Sequence, residues 1–311
     1  MIVPPRLADA LTVGGFRAAW AGVKWLPEPL AYALFDRIAD VAVARGSASR
    51  LLANYRKVRP ELDDRALGHL VRDGMRAYLR YYGEAFRLPV LSPADLAARV
   101  RVEGDAPLRS IVDGGGSVVC FLGHMGNWDL AGAWGSVHWT TVTTVAERLE
   151  PEEMFEEFLA FREGLGLRIL PLTGGPDPFP LLREAARAPG LIPLLADRDL
   201  TRRGLEVDFC GHRARMAAGP AALALAERRP LVPVSIRHER RPDLGRGAWG
   251  IVITFHAAVP VPESGPTQER VRAMTQSCAD VLGAAIREHT ADWHMLQRVF
   301  VDDLDPQRAT S

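Results

Sequence analysis

His124 and Asp129 stand five positions apart in the stretch VVCFLGHMGNWDLAGAW (residues 118–134), among apolar neighbours where aliphatic side chains would pack at lower cost. A histidine can take up a proton near neutral pH, and a carboxylate on one ring nitrogen fixes its tautomer and leaves the other nitrogen to act as a base. The stretch begins as a β-branched apolar run and ends in helical spacing, which puts His124 at a strand-to-helix joint. The glycines of GHMG allow a tight turn and a close approach of backbone to ligand. A helix N-terminus disfavours imidazolium and keeps the ring neutral. Five residues correspond to about 140° around an ideal helix, so Asp129 would not stack over a helical His124. With His124 just before the helix and Asp129 within it, the chain can fold the carboxylate back onto the ring. The expectation is a general base oriented by Asp129, with a buried structural histidine as the plainer alternative.

The elements around this joint change character along the chain. Residues 1–90 read as helices, among them PLAYALFDRIADVAVARG and a longer one over 62–89 with an acidic start that suits the helix dipole. From about residue 100, short β-branched runs alternate with helical ones: SVVCFL, TTVTTVA, LRILPL, GLIPLLA, LEVDFC, LVPVSIRHE and WGIVITF are the strands. This pattern predicts an α/β domain over 91–311, a central, largely parallel sheet flanked by helices. The N-terminal helical subdomain (1–90) reads as a lid or membrane-associating unit. In such sheets ligands bind outside the carboxyl ends of the strands, which is where His124 falls.

Other polar residues occupy equivalent places. LLADRDL leaves a buried strand and meets Asp197, Arg198 and Asp199, one of whose carboxylates can reach the His124 site; Asp197 is the first choice and Asp199 the alternative. Arg198 could stabilise an oxyanion, hold a phosphate or pair with a neighbouring aspartate. TTVTTVAERL ends in Glu147 and Arg148, and Glu147 is placed to accept hydrogen bonds from sugar hydroxyls. Arg162 follows Phe158 by one helical turn and could equally lie exposed along its helix. Segment 201–216 carries Arg202, Arg203, His212, Arg213 and Arg215: a solvated hairpin, or arginines for a donor's phosphates. The cluster RHERRPDLGRG (237–247) reads as a loop facing water or anionic headgroups. No metal-ligand spacing, no dinucleotide fingerprint and no G-x-S-x-G elbow occurs. Cys120, inside a strand, reads as a small buried thiol.

Composition narrows the function classes. The 311 residues are 48% hydrophobic and 24% charged, with 38 Lys plus Arg against 38 Asp plus Glu, so no global field attracts nucleic acid. The three cysteines, widely spaced, argue against a disulfide framework and for a reducing compartment. No secretory signal is expected, and charges interrupt every apolar stretch before the ~20 residues a spanning helix needs. Trp20, Trp25, Leu26, Leu30, Tyr32 and Phe35 give the first helices an apolar face for a membrane surface or for the core.

The pattern His-x-x-x-x-Asp, here His124 to Asp129, resembles the signature of acyltransferases that pass an acyl chain from a thioester to a hydroxyl. With VRDGMRAYLRYYGEAFRLP (71–89), VAERLEPEEMFEEFLAFREGLG (145–166), LLADRDL (194–200) and ARMAAGPAALA (214–224), nearly the whole chain is similar to the late acyltransferases of lipid A synthesis and their actinobacterial relatives, the phosphatidylinositol mannoside acyltransferases. The resemblance implies acyl transfer from acyl-CoA, as co-substrate without another cofactor, to a mannose hydroxyl of a glycolipid. The enzyme would sit peripherally at the cytoplasmic face of the membrane. It implies His124 as base, an acidic partner at Asp197 or Asp199, and Glu147 and Arg162 in a polar-headgroup pocket. A thiol leaving group, with pKa about 8.5 by analogy with cysteine, departs without an acyl-enzyme. The alternatives are a lysophospholipid or other glycolipid acceptor, and a non-catalytic lipid- or CoA-binding protein.

Overall fold

The structure, a computed structural model, describes residues 22–146, 152–172, 177–199, 201, 204–245 and 247–304. The first helices described in full are α1 (Glu28–Ala44), α2 (Ser49–Val58) and α3 (Asp64–Arg87). There follow α4 (Pro93–Arg99), β1 (Val100–Glu103), α5 (Ala106–Asp113), β2 (Ser117–Leu122), α6 (Trp128–His138) and β3 (Thr143–Ala146). The chain continues through α7 (Glu152–Gly164), β4 (Arg168–Pro171), α8 (Phe179–Arg187), β5 (Gly190–Leu195), β6 (Leu205–Phe209) and β7 (His212–Met216). It closes with α9 (Gly219–Glu227), β8 (Leu231–Arg240), β9 (Trp249–Phe255) and α10 (Thr267–Glu288).

The central sheet has the order β1-β9-β8-β2-β5. β1 with β9, β8 with β2 and β2 with β5 run parallel, and β8 with β9 antiparallel. The largely parallel, helix-flanked sheet expected from the alternating pattern is therefore present. β3 and β4 form a parallel pair that continues beyond β5 through the bridge Val142–Leu191. Every residue of β2 is buried, as befits a central strand covered on both faces. Its side chains alternate between two cores: Val119 and Phe121 join one with α2, α3, α9 and α10, and Cys120 and Leu122 the other beneath α6.

The hairpin β6–β7 stands apart from that sheet, its turn made by Cys210 and Gly211 at φ 53° and 83°, the pair of positive φ values that a two-residue type I′ turn requires. It is not simply solvated: Val207, Phe209, Ala214 and Met216 are buried on one face. On its other face Arg213 and Arg215 pair with Glu206; Arg202 and Arg203 lie outside the described residues.

The N-terminal helices dock on the same core. Asn54 of α2 donates to the carbonyls of Met295 and Gln297, and the Tyr55 hydroxyl donates to the Trp293 carbonyl at 2.9 Å. Gly74 of α3 makes room for Tyr55, whose ring a side chain there would strike. The membrane-facing set expected on the first helices divides by helical phase. Tyr32 and Phe35 are buried against α3, whereas Leu30, Leu34, Ile38 and Val41 form an exposed stripe continued by Trp25; Trp20 lies outside the described residues. Among the described residues no helix is long and apolar enough to cross a membrane.

Candidate active site

The parallel register of β2 and β5 builds the site. Leu122 is paired with Leu195, and the Ala196 N–H donates to the Leu122 carbonyl, so the next residues of both strands emerge side by side. Those residues include His124 and Asp197. Asp197 Oδ1 lies 2.6 Å from His124 Nδ1, and its Oδ2 accepts the His124 backbone N–H at 3.0 Å and the Trp293 indole N–H at 2.8 Å. Asp197 is fully buried. Burial alone would raise its carboxyl, but the His124 ring beside it and these three donors hold it below the ordinary carboxylate value. An ionised carboxylate at Nδ1 requires the ring proton on Nδ1, which leaves Nε2 as an acceptor. Nε2 has no hydrogen-bond partner among the described residues, and the side chain keeps 24% of its surface exposed.

Asp129 is elsewhere, and this corrects the expectation that it folds back onto the ring. His124 does precede α6, and Asp129 does lie in its first turn. There the Asp129 side chain points away from the loop, to accept from the Tyr81 hydroxyl at 2.6 Å and from Arg162 Nε at 2.7 Å and Nη2 at 3.3 Å. Arg162 is accordingly not an exposed arginine along α7 but the partner of a buried carboxylate. The α6 start is fixed by Asn127, whose Oδ1 accepts the Leu130 N–H at 2.9 Å, a cap whose loss costs about 1 kcal/mol. Asp199 does not reach His124; its Oδ1 accepts the Thr201 N–H at 2.8 Å. Arg198 donates to Gln297. Glu147, expected to end β3 at the same edge, lies outside the described residues, as does Arg148.

Removing one member of a buried ion pair leaves its partner uncompensated, at a cost of ~3–5 kcal/mol. Arg162→Leu is therefore expected to lower Tm while the far-ultraviolet circular dichroism is retained, because Asp129 keeps only the Tyr81 hydroxyl. A Tm equal to wild type would contradict the pairing.

Below α6 lies a narrow cavity with apolar walls that opens to solvent. Its floor is one face of the sheet, with Cys120, Leu122, Pro193 and Val234; Trp128, Asp129 and Arg162 also line it. Gly132 and Gly135 turn the inner side of α6 toward it, and side chains there would crowd Leu167 and Val142. His124 stands beside the cavity, its ring edge-on to Trp128 at 5.7 Å. Burial pushes the Cys120 thiol up to about 12, so it is an inert wall atom and not a nucleophile.

Tyr81 and Trp293 are members of the site that local patterns did not single out. Tyr81 sits in a tyrosine- and arginine-rich helix face, and Trp293 in TADWH, just past a long helix. The grouping of Asp292, Trp293 and His294 directly after a helix end was the available signal.

A histidine tied to a buried carboxylate, next to a cavity with apolar walls, is compatible with an enzyme that moves acyl groups. The sequence profile of the bacterial lipid A biosynthesis acyltransferases matches residues 12–301, and the chain belongs to that family. It is similar, at 39% identity over 305 residues, to a phosphatidylinositol mannoside acyltransferase of Mycolicibacterium smegmatis, with 97% of this chain and 95% of the relative covered. A protein of the same name from Mycobacterium tuberculosis strain H37Rv is 38% identical over 296 residues, covering 94% of this chain and 90% of the relative. The resemblance read from the sequence is thus borne out, and the chain is an acyltransferase.

Proposed function

We propose that the protein transfers a fatty acyl chain from acyl-CoA to a mannose hydroxyl of a phosphatidylinositol mannoside, with His124 as general base. The observation that carries this reading is the Nδ1 tie of His124 to Asp197, which reserves Nε2 for a substrate proton beside the apolar cavity. The relatives' names supply the acceptor class. The acyl chain lies in the cavity with its thioester carbonyl at the Trp128 end. Nε2 takes the proton as the mannose oxygen bonds to the carbonyl carbon, and the carbonyl π electrons move onto oxygen. Collapse of the tetrahedral adduct breaks the C–S bond, and the imidazolium returns its proton to the departing thiolate. Asp197 steadies the imidazolium while it exists and is not itself protonated.

Asp129 and Arg162, which line the cavity, bind the acceptor headgroup with Glu147 as a further partner, and Arg198 serves the donor's phosphates. The stripe Leu30, Leu34, Ile38 and Val41 rests on the cytoplasmic face of the membrane, with Trp25 at the interface. Burying one such side chain contributes ~1.5–3 kcal/mol. Leu34→Asp/Ile38→Asp is thus expected to lower partition onto phosphatidylinositol-containing vesicles by more than tenfold, as read by sedimentation. Unchanged partition would exclude this face.

The function is tested by incubating the protein with palmitoyl-CoA and candidate acceptors, following free thiol by colorimetry and the acylated lipid by mass spectrometry. Thiol release that depends on the mannoside acceptor is expected. Release that depends instead on a lysophospholipid would reassign the acceptor, and acyl-CoA binding without acceptor-dependent release would defeat the reading.

A further inference from the structure

Behind the His124 loop lies a second group of buried charges that the proton transfer does not use. His238 of β8 stands between two carboxylates, with Nδ1 2.6 Å from Asp292 Oδ1 and Nε2 3.4 Å from Glu84 Oε2. The first contact is a hydrogen bond; the second has ion-pair distance without hydrogen-bond alignment. Arg80, one turn before Glu84 on α3, stacks over the Trp249 ring at 3.6 Å and is the second cation of the group. His238 is not part of a solvated loop, as the arginine-rich surroundings of RHERRPDLGRG suggested, but a buried residue of an inner strand.

Both residues reach the His124 loop, Glu84 through its carboxylate and Asp292 through its backbone. Glu84 Oε2 accepts from Asn127 Nδ2 at 2.8 Å, and Asn127 also caps α6. The Asp292 carbonyl accepts the Gly126 N–H at 2.9 Å. The next two residues continue the contact: the Trp293 indole donates to Asp197, and the His294 N–H donates to the His124 carbonyl at 2.7 Å. His294 Nε2 lies 3.0 Å from the Gly126 carbonyl and must donate to it. Gly126 itself is pressed onto β8 at φ 57°, where a Cβ would come within 2.6 Å of the Ile236 carbonyl. Residues 292–294 thus form a strap that touches both members of the His124–Asp197 pair.

We propose that Glu84, His238 and Asp292 are positioning residues that clamp this strap and the His124 loop together, and that the clamp depends on the positive charge of His238 between the two carboxylates. The inference rests on the proposed acyl transfer only for its kinetic readout. Burial pulls His238 down, but Glu84 and Asp292 outweigh it and raise it to about 9. The groups facing it are Glu84 and Arg80 from α3, and Asp292 and His294 from the strap. His294 is pushed down to about 3 by burial first and by the His238 charge second, and so stays neutral. Because the folded value lies above the unfolded value of about 6.5, the clamp's contribution is full below that value and is lost as pH rises through about 9.

The test is His238→Gln, read in two ways. In acyl transfer from palmitoyl-CoA, kcat is expected to fall on the order of 10²-fold, the scale of a small misplacement of a catalytic group, with KM for the donor nearly unchanged. The charge-balanced pair His238→Gln/Glu84→Gln is expected to regain most of that loss. Independently of turnover, long-range proton–nitrogen spectra of histidine-labelled protein report the His124 tautomer. The wild type is expected to hold the Nδ1–H form at pH 8 and to pass reversibly to a tautomer mixture through about pH 9, and His238→Gln to show the mixture already at pH 7. An unchanged His124 signal in wild type through pH 10, or in the variant at pH 7, would overturn the clamp. A wild type that transfers no acyl group would count against the proposed function alone, and the His124 spectra would still decide the clamp.

Discussion

Asp197→Asn is expected to lower kcat for acyl transfer by about 10³–10⁴-fold with little change in Tm, the scale found when the carboxylate of a Ser-His-Asp triad becomes an amide. The geometry dictates the sign. One Asp197 oxygen accepts two donors, the His124 backbone N–H and the Trp293 indole N–H, and the other accepts from His124 Nδ1. An asparagine must turn its single oxygen toward the two fixed donors, which brings its NH₂ to Nδ1. That nitrogen then has to be the acceptor, the ring proton moves to Nε2, and the atom that should take the substrate proton already carries one. The side-chain volume and most hydrogen bonds survive, so the fold does. Turnover by continuous thiol release, with Tm measured alongside, checks both halves.

His124→Ala is expected to remove on the order of 10⁴-fold of kcat, the upper end of what a positioned base contributes and no less than Asp197→Asn removes. Asp197 keeps the backbone N–H and the Trp293 indole as donors. Its charge is therefore not orphaned, and the stability loss should stay near ~1–3 kcal/mol. The acyl-CoA affinity should hold, because the cavity is lined by other residues. Donor binding by calorimetry, paired with turnover, distinguishes a lost base from a lost site.

Much of this arrangement is legible in the sequence, and what is not has a physical reason. The buried run SVVCFL followed by GHMGNWD locates a strand end and a helix start, and so the loop that carries His124. The partner of His124 is set by the pairing of β2 with β5, between residues 73 positions apart, and no local spacing encodes such a register. The five-residue interval to Asp129 invited a local pairing. The helical direction of α6 instead carries Asp129 to Tyr81 and Arg162, which arrive from α3 and α7. His238 was hidden by its arginine neighbours: a strand that alternates faces can bury one residue of a charged run while the next reaches solvent. On α1 the apolar positions were evident, but only packing against α3 decides that Tyr32 and Phe35 turn inward and Leu30 and Leu34 outward.

The pairing of His124 with Asp197 is the centre of the account, and a double-mutant cycle on kcat measures it most directly. Residues that act as one unit lose their effect once either is gone. His124→Ala/Asp197→Asn is therefore predicted to turn over no more slowly than His124→Ala alone. If the two losses instead multiply, Asp197 acts independently of His124, and the base assignment built on their contact is wrong.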